Sequence, residues 1–288
     1  MKKIWIIGCG DIGRRLVRLY LSIETKPNIS GLISSQKSFE ACTKLGIDSF
    51  KFNLDNQDCF KQLNRNDFKD CHLFYFAPPP SEGKQDLRLS TFLEKMGDAP
   101  KRIVLISTTG VYGDSKGEWI DETTPVNPVA DRAHRRLSAE NSLKQWAKNS
   151  HREYMILRVP GIYAQDRLPL ERLQKQLPIV NEADAGFTNR IHADDLAHAC
   201  LLAMESSHSN EIINITDGQP STMTDYFNQV ADFANLPRPP QISMQEAEKT
   251  LSAGMVSYLK ESRRIKNKKM LALLMISLKF PNLKSALS

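Results

Sequence analysis

No apolar run in the 288-residue sequence is long enough to cross a bilayer. The longest apolar stretch, 270–278, spans nine residues, whereas a transmembrane helix needs about 20. The apolar run at 4–7 stops at Gly8, short of the roughly 7–15 apolar residues of a secretory signal. We therefore expect neither a signal peptide nor a membrane partner.

Cysteine is scarce and scattered. The chain has five cysteines, an odd number, and no two of them form a C-x-x-C pair. This pattern indicates neither a disulfide framework nor a zinc site. Single scattered thiols fit a reducing compartment, so the sequence predicts a cytoplasmic protein without a metal.

Neither sign of charge dominates. The 39 Lys and Arg residues against 33 Asp and Glu residues give a net charge of +6, a mild excess that fits anionic small molecules such as nucleotides. Nucleic acid would fit it too, but no other feature supports that partner and we expect none. A basic run near the C-terminus is interpreted as a solvated face rather than a binding patch. Its members are Arg263, Arg264, Lys266, Lys268 and Lys269.

Short β-rich runs alternate with helix-length segments through the first half of the chain. Most of these runs are compact and apolar, which is typical of strands buried on both faces of a parallel sheet. One intervening segment, 11–23, has apolar residues at helical spacing. The alternation predicts an α/β fold with a Rossmann-like, doubly wound parallel sheet. The predicted strands are 3–7, 29–33, 47–52, 72–76, 102–107 and 155–158.

A glycine-rich turn joins the first predicted strand to the helix that follows. The sequence there reads G-C-G-D-I-G, a G-x-G-x-x-G pattern. Gly8 permits the tight turn, Gly10 lets a pyrophosphate approach the backbone, and Gly13 lets the helix pack close to the strand. The helix start, at Asp11 and Ile12, supplies unpaired N–H groups and a positive dipole end for the phosphates. The strand–turn–helix context therefore predicts a dinucleotide site.

The end of the second predicted strand bears on which dinucleotide is bound. An acid there would bond the ribose 2′-OH and favour NAD, but the chain has Ser34, Ser35 and Lys37 instead. Hydroxyls and a cation suit a 2′-phosphate, so the sequence predicts NADP in preference to NAD. Asn53, after the third strand, is either an adenine ligand or a turn asparagine.

Four further sequence blocks follow one another along the chain. They read S-T-T-G-V-Y-G at 107–113, L-R-V-P-G-I-Y at 157–163, R-I-H-A-D-D-L-A at 190–197 and I-I-N-I-T-D-G at 212–218. In order and spacing these blocks resemble the extended short-chain dehydrogenase/reductase superfamily, its NAD-dependent epimerase/dehydratase branch. The resemblance covers nearly the whole chain. It implies a Rossmann domain that carries the cofactor and a C-terminal lobe that closes over a sugar-nucleotide-like substrate.

The resemblance and the proline-punctuated pattern after Pro160 together divide the chain. We expect 1–160 with about 189–216 to form the dinucleotide-binding domain. The smaller, mostly helical substrate lobe is then about 161–188 and 217–288. Extended members of the superfamily are often dimers, so a homodimer is a further expectation, beside a small-molecule substrate.

The resemblance also implies roles for particular residues. A Ser or Thr four residues before the Tyr of the V-Y-G motif polarises the reacting oxygen, and that position here is Thr108. The same blocks put Thr109 and Arg158 beside the substrate. The end of the fourth strand, at Ala77 and Pro78, is where the superfamily's backbone passes the nicotinamide ribose.

One position departs from the superfamily's pattern. Its catalytic Tyr and Lys lie four apart on the helix after the fifth strand, where the cation lowers the pKa of the phenol. Aligned on Glu140, these positions are Arg132 and Arg136. A guanidinium stays protonated and cannot take a proton from a substrate hydroxyl. The chain thus resembles atypical members that keep the cofactor loop and lack the catalytic Tyr.

Substitute roles are open for several residues. Tyr112 is either a replacement acid/base or a packing tyrosine. Arg136, placed in the catalytic frame, forms with Arg132 a pair that either holds a phosphate or carboxylate or belongs to a solvated basic helix with Arg135. Asp194 is expected to cap the following helix rather than to bind a metal.

Two functions follow from these features. The first is an NAD(P)-dependent oxidoreductase or epimerase-like enzyme acting on a nucleotide-sugar or another small carbonyl or hydroxyl compound. The alternative is a catalytically silent protein that senses the dinucleotide, which the Arg at position 132 favours.

Overall fold

The computed structural model describes residues 2–287. The first half of the chain forms β1 (Lys3–Ile7), α1 (Asp11–Leu21), β2 (Asn28–Ile33), α2 (Gln36–Lys44), β3 (Asp48–Lys51), α3 (Gln57–Lys61), β4 (His72–Tyr75), α4 (Leu87–Met96), β5 (Arg102–Thr108), β6 (Trp119–Ile120), α5 (Asp131–Ser150) and β7 (Glu153–Val159). The second half forms β8 (Gly161–Tyr163), α6 (Leu170–Gln174), β9 (Ile179–Val180), β10 (Phe187–Thr188), β11 (Arg190–His192), α7 (Ala193–Glu205), β12 (Glu211–Asn214), β13 (Ser221–Thr222), α8 (Met223–Phe233), β14 (Gln241–Ile242), α9 (Met244–Thr250), α10 (Ala253–Leu259), β15 (Arg264–Ile265), α11 (Lys268–Leu274) and α12 (Leu283–Leu287).

A seven-stranded parallel sheet organises the molecule, with strand order β12-β7-β5-β4-β1-β2-β3. Strand order reverses between β1 and β4, which pair in register with Ile4 opposite His72. Crevices at such a reversal, beyond the carboxyl ends of the strands, are where open α/β sheets bind ligands. The predicted α/β fold with a doubly wound parallel sheet is confirmed, and the six predicted strands match β1–β5 and β7 within two residues at each end.

Apolar cores cover both faces of the sheet. One contains side chains of α1 and α7, and the other contains side chains of α4 and α5. Strands buried on both faces explain why their sequences are continuous apolar runs. The first core also includes Met270, Leu274 and Ile276. The segment around α11 therefore packs with the sheet, although the sequence analysis placed it in the substrate lobe.

A smaller lobe stands at the carboxyl edge of the sheet. Its own core includes Leu173 of α6, Ile179 of β9 and Phe227 of α8. Short strand pairs, such as β14 with β9 and β10 with β13, connect its helices. The lobe reaches back to the sheet domain where β15 pairs with β6.

The longest of the helices described above is α5, with 20 residues. Its buried side includes Ala139 and Leu143, which pack on the sheet, and its first turns carry three arginines toward the sheet's carboxyl edge. Within residues 2–287, no helix combines the length and apolar character that a membrane span requires.

Candidate cofactor and substrate site

The turn after β1 is held in place by a close backbone approach. Gly8 has φ of +83°, a conformation that L side chains rarely adopt. A Cβ at this position would lie 2.5 Å from the backbone N of Ala77, at the end of β4. Only glycine fits there, because any side chain would collide with backbone that cannot move independently of the sheet.

The two other glycines of the turn meet different surroundings. A Cβ on Gly13 would lie 2.9 Å from Cys9 Sγ, so this residue permits the close packing of α1 on the strand. A Cβ on Gly10 would approach only the carbonyl of Gly8, at 3.9 Å, which leaves open space in front of the turn.

The start of α1 presents free hydrogen-bond donors to that space. Gly10 caps the helix without any side-chain bond, and no acceptor within residues 2–287 receives the N–H groups of Asp11, Ile12 or Gly13. Free N–H groups at a helix N-terminus, with its positive dipole end, bind phosphate. The open space and the donors together fit a pyrophosphate.

Charged side chains surround the first turn of α1. Burial alone would raise the pKa of Asp11, but hydrogen bonds and charges from Arg167 and Arg15 lower it below its usual value. Arg15 also donates to Asp194 at 2.6 Å and pairs with Asp166. The Asp11 side chain is therefore held by guanidiniums, while its N–H faces the open space.

Asp194 does not cap α7, contrary to the sequence prediction. The cap is His192, whose Nδ1 accepts the N–H of Asp194 at 3.2 Å, because the helix begins one residue earlier than Asp194. Neighbouring Asp195 accepts the backbone N–H groups of Lys279 and Phe280. No cluster of His, Cys, Asp and Glu within residues 2–287 could hold a metal ion.

The side chains predicted to recognise the adenosine end lie at the same edge. Ser34 and Ser35 lie between β2 and α2, Lys37 lies in the first turn of α2, and all three are exposed. Ser35 caps α2 by accepting the N–H of Ser38 at 3.2 Å, and Arg14 donates to the Ser38 hydroxyl at 3.4 Å. Arg14, which the sequence had also placed near the 2′-phosphate, lies beside this group, and Ser38 joins it as a residue that the sequence had not indicated.

Asn53 and Pro78 lie on loops after β3 and β4. Asn53 is exposed, and its Oδ1 accepts the N–H of Asp55 at 3.0 Å, as in a turn asparagine. Pro78 is exposed, and its carbonyl accepts a hydrogen bond from Arg88 at 3.0 Å. Contact of either residue with a cofactor stays a prediction.

A cavity of about 440 Å³ lies at the carboxyl ends of β5 and β7, between the sheet domain and the lobe. Its size falls in the range of small-molecule sites, about 300–1,000 Å³. Ala77 connects it with the glycine turn, because its backbone N faces Gly8 and its carbonyl accepts Arg136 Nη1 at 3.3 Å. Polar side chains in the cavity wall include Thr108, Thr109, Arg132, Arg136, Tyr258 and Arg263.

Thr108 ends β5 at the cavity wall. Its Oγ1 accepts the N–H of Gly110 at 3.1 Å, which caps the 3₁₀ turn Thr109–Tyr112. Accepting that bond leaves the hydroxyl proton of Thr108 free to be donated. Thr109 is buried beside it and also lines the cavity.

Arg132 and Arg136 project from the first turns of α5 into the same cavity. Arg132 is exposed, whereas Arg136 is partly buried. Burial lowers the pKa of Arg136, and the negative charge of Asp86 acts in the opposite direction. The Asp86 Oδ2 and the Tyr75 hydroxyl, both fully enclosed, have no hydrogen-bond partner within the described residues. The floor beneath Arg136 is therefore polar and incompletely paired.

Of the two roles left open for Tyr112, the packing role fits its position in the structure, and a role as replacement acid/base stays a prediction. Its ring is 2% exposed and does not line the cavity. Its hydroxyl donates to Asn214 Oδ1 at 2.9 Å, and burial raises its pKa. A phenol enclosed in this way cannot reach a substrate.

Arg158 does not line the cavity either, contrary to its predicted contact with the substrate. It is 3% exposed and forms a two-pronged ion pair with buried Glu140, at 3.0 and 2.8 Å. Its guanidinium also lies 4.7 Å from the centre of the Tyr112 ring. The ion pair with Glu140 therefore neutralises the charge of Arg158 in the interior of the fold.

The structure revises the interpretation of two basic segments. Arg135, grouped with a solvated helix face, is buried and donates to the carbonyl of Gly83 at 2.6 Å. The C-terminal run is not a uniformly solvated face, because Arg263 is 6% exposed and lines the cavity. Sequence reasoning missed both Arg263 and Tyr258. No sequence pattern marked Arg263, because its burial depends on contacts with distant residues such as Gly113.

Known proteins match this chain in both sequence and fold. Residues 84–216 match the NAD dependent epimerase/dehydratase family, a segment that begins after the glycine turn. Protein YeeZ of Escherichia coli K12 is 27% identical over 250 residues, which cover 84% of this chain and 86% of that protein.

Solved structures share the whole architecture. A functionally unknown conserved protein from Silicibacter pomeroyi superposes with a TM-score of 0.86 at 25% identity, covering 100% of this chain and 97% of that one. UDP-glucuronic acid 4-epimerase from Bacillus cereus, in complex with NAD, gives a TM-score of 0.78 at 18% identity and covers 99% and 96%. UDP-glucose 4-epimerase from Thermotoga maritima, with UDP-glucose, gives 0.80 at 18% with the same coverage. Residues 84–216 of this chain thus resemble the NAD dependent epimerase/dehydratase family, and the whole chain shares the fold of these solved structures.

Proposed function

We propose that the protein binds a nicotinamide dinucleotide, NADP in preference to NAD, and uses it for oxidation or reduction of a small carbonyl or hydroxyl compound. The observation that carries this proposal is the shared position of Ala77. Its N lies against Gly8 of the phosphate-binding turn, and its carbonyl holds Arg136 of the cavity wall. A dinucleotide bound along this edge would place its reactive end at the cavity.

The residues fit the cofactor from one end to the other. The free N–H groups after Gly10 would hold the pyrophosphate, and the loop at Ala77 and Pro78 would pass its ribose. The open space in front of Gly10 supports this placement, because a Cβ there would approach only the carbonyl of Gly8, at 3.9 Å.

The preference for NADP rests on the charge and hydrogen-bonding groups after β2. Lys37 and Arg14 supply positive charge, and Ser34, Ser35 and Ser38 supply hydroxyls, with no acid at positions 34–37. A 2′-phosphate gains from these donors, whereas a 2′-hydroxyl would lack the carboxylate that usually accepts its proton. The Bacillus cereus and Thermotoga maritima structures do not decide between NADP and NAD for this chain. At 18% sequence identity, their similarity supports a shared fold alone.

Within the cavity, the chain's own side chains orient the reacting oxygen. A bound nicotinamide supplies or accepts the hydride. Thr108 has a free hydroxyl proton and would donate it in a hydrogen bond to the oxygen of the substrate. Arg132 and Arg136 would hold an anionic group of the substrate and stabilise negative charge on that oxygen.

The proton transfer needs a group other than position 132. Tyr258, on α10, brings a phenol to the cavity from the lobe side. We assign it the proton that is donated to the substrate oxygen during reduction and taken back during oxidation. If turnover does not depend on it, the alternative of a catalytically silent dinucleotide sensor gains support from Arg132.

Titration with NADPH and then NADH, followed by tryptophan and dinucleotide fluorescence, tests the cofactor assignment. NADPH should bind more tightly, and Lys37→Ala should weaken NADPH about fivefold while leaving NADH unchanged, as expected for loss of one exposed ion pair. Lys44→Ala is the matched control, since Lys44 is an exposed lysine at the other end of α2. Absence of binding by either dinucleotide would refute the proposal.

Turnover is tested separately, by hydride exchange between bound cofactor and a panel of carbonyl and hydroxyl compounds. Activity that is lost in Tyr258→Phe and Thr108→Ala, with NADPH affinity retained, would support the enzyme. Tight NADPH binding without exchange for any compound would favour the silent sensor.

A further inference from the structure

Guanidiniums from both parts of the molecule converge on the cavity. Arg132 and Arg136 come from α5 of the sheet domain, and Arg263 comes from the segment just before β15. Glu261 is the carboxylate among the described residues that line the same wall. The wall therefore carries a net excess of two positive charges, which favours an anion.

Arg263 keeps one edge of its guanidinium free. It is 6% exposed, and both of its hydrogen bonds use Nη1, to the carbonyl of Gly113 at 2.6 Å and to Glu261 Oε2 at 2.7 Å. Within residues 2–287, no acceptor forms a hydrogen bond with Nε or Nη2 of Arg263. Neither atom belongs to the fully enclosed unpaired groups of the described chain, so both are open to solvent, and Arg263 itself lines the cavity.

The free edge of Arg263 has the geometry of an anion-binding fork. Nε–H and Nη2–H are parallel donors, and they match two oxygens of a carboxylate or a phosphate. A bound oxyanion would form charge-assisted hydrogen bonds with both donors, which are stronger than hydrogen bonds between neutral groups. Glu261 and Gly113 fix the orientation of the fork through the opposite nitrogen.

The neighbouring pocket limits how far the substrate extends. Beyond Phe187, which lines both spaces, lies a second pocket with Glu182 and Asp225 in its wall. Two carboxylates there would repel a further phosphate. The positive potential is thus confined to the cavity itself, whose volume of about 440 Å³ must also admit the nicotinamide end of the cofactor.

We propose that the substrate is a small molecule with a single terminal carboxylate or phosphate, held by the free edge of Arg263 and by Arg132, and not a nucleoside diphosphate. This inference rests on the proposed function, because it names the substrate class of the same cavity. Carboxylates and phosphate monoesters share the required pair of oxygens, and the experiment distinguishes them.

Isothermal titration of the full chain, with and without NADPH, tests the inference with three probes. Oxamate represents short carboxylates, glycerol 3-phosphate represents short phosphate monoesters, and UDP-glucose represents nucleoside diphosphates. At least one of the two small anions should bind, and the tighter of them identifies the anionic group. UDP-glucose should bind at least tenfold more weakly than that anion.

Three variants connect the binding to the fork. Arg263→Lys keeps a positive charge near Glu261 but removes the paired donors, and Arg132→Ala removes an exposed side chain without hydrogen bonds to the described chain. Each should weaken the small anion tenfold or more, as expected for loss of a charge-assisted hydrogen bond. Arg238→Ala is the control, because Arg238 is an exposed arginine paired with Asp232 on the lobe surface.

Separate outcomes overturn the inference and the proposed function. The inference is wrong if no probe binds, if UDP-glucose binds as tightly as the small anions, or if Arg263→Lys and Arg132→Ala bind them like wild type. The NADPH titration in the same samples judges the cofactor site independently. Thermal unfolding of each variant shows whether Arg263→Lys remains folded, and Arg132→Ala keeps the test decisive if it does not.

Discussion

The glycine turn and the cavity wall lie at the same edge of one sheet, but the turn presents backbone groups and the wall presents side chains. The turn offers backbone N–H groups, fixed by the approach of Gly8 to Ala77. The wall offers side chains, of which Arg132 is exposed and Arg263 is bonded through one nitrogen. A change at Gly8 should therefore disturb folding and binding together, whereas a change at an exposed wall residue such as Arg132 should alter binding alone.

Gly8→Ala should have the largest effect. The left-handed φ of +83° and the 2.5 Å approach to Ala77 add backbone strain to a collision. We expect the free energy of unfolding to fall by about 5 kcal/mol, with NADPH binding lost as well. Urea unfolding and NADPH fluorescence measure the two effects.

Gly46→Ala provides the matched control for that variant. Gly46 has φ of +75°, and a Cβ there would meet no atom within 4 Å. It shares the strain without the collision, so we expect a loss of about 1 kcal/mol and unchanged binding. Equal losses in the two variants would show that the approach to Ala77 is unimportant.

Arg158→Ala tests whether an arginine near the cavity acts through the fold. Removing it leaves the fully buried carboxylate of Glu140 without its ion-pair partner, with the Ser107 hydroxyl still bonded to it. The expected loss in unfolding free energy is about 4 kcal/mol. Arg132→Ala, on the exposed side of α5, should leave stability unchanged. If Arg158→Ala were stable but failed to bind a small anion, Arg158 would have to contact the substrate after all.

Two carboxylates, Asp217 and Asp11, should respond to pH in opposite directions. Burial raises the pKa of Asp217, beside Arg190 at the base of the lobe, to about 7. The folded state then holds a proton that the unfolded state releases near pH 4, so this group lowers stability as pH rises from about 4 to 7. For Asp11, whose pKa is lowered, stability is instead lost as pH falls below its unfolded value.

Asp217→Asn isolates the first of these effects. An amide keeps the bond to the N–H of Gln219 and carries no charge. We expect the variant to exceed wild type in unfolding free energy by about 3 kcal/mol at pH 8 and to match it near pH 4. Urea unfolding at both pH values measures the difference, and an equal gain at both would exclude a titration effect.

Gly10→Ala should separate binding from folding within the turn itself. The φ of −82° suits alanine, and the new methyl group would approach only the carbonyl of Gly8. Stability should stay within about 0.5 kcal/mol, whereas NADPH should bind at least about tenfold more weakly, because the methyl group enters the space assigned to the pyrophosphate. Unchanged affinity would place the phosphates elsewhere.

The contrast between the backbone groups of the glycine turn and the side chains of the cavity wall also explains what could be predicted from the sequence. The strands and the glycine turn depend on local patterns, namely apolar runs and glycines at fixed spacing, so both were found. Arg263 escaped notice because its burial depends on contacts with Gly113, about 150 residues earlier in the chain. Arg135 is buried for a similar reason, its bond to Gly83. Side chains placed by tertiary contacts have no signature in a single sequence.

Tyr112→Phe should have the smallest effect and bears on the same lesson. The motif position of Tyr112 suggested chemistry, but its hydroxyl is bonded to Asn214 inside the fold. Losing that bond should cost about 1 kcal/mol of unfolding free energy, and small-anion and NADPH affinities should remain those of wild type. Tyr258→Phe is the counterpart in the cavity wall, expected to leave stability unchanged and to abolish hydride exchange. Loss of hydride exchange in a fully stable Tyr112→Phe variant would contradict this expectation. It would mean that the buried Tyr112 hydroxyl becomes accessible to the substrate during catalysis.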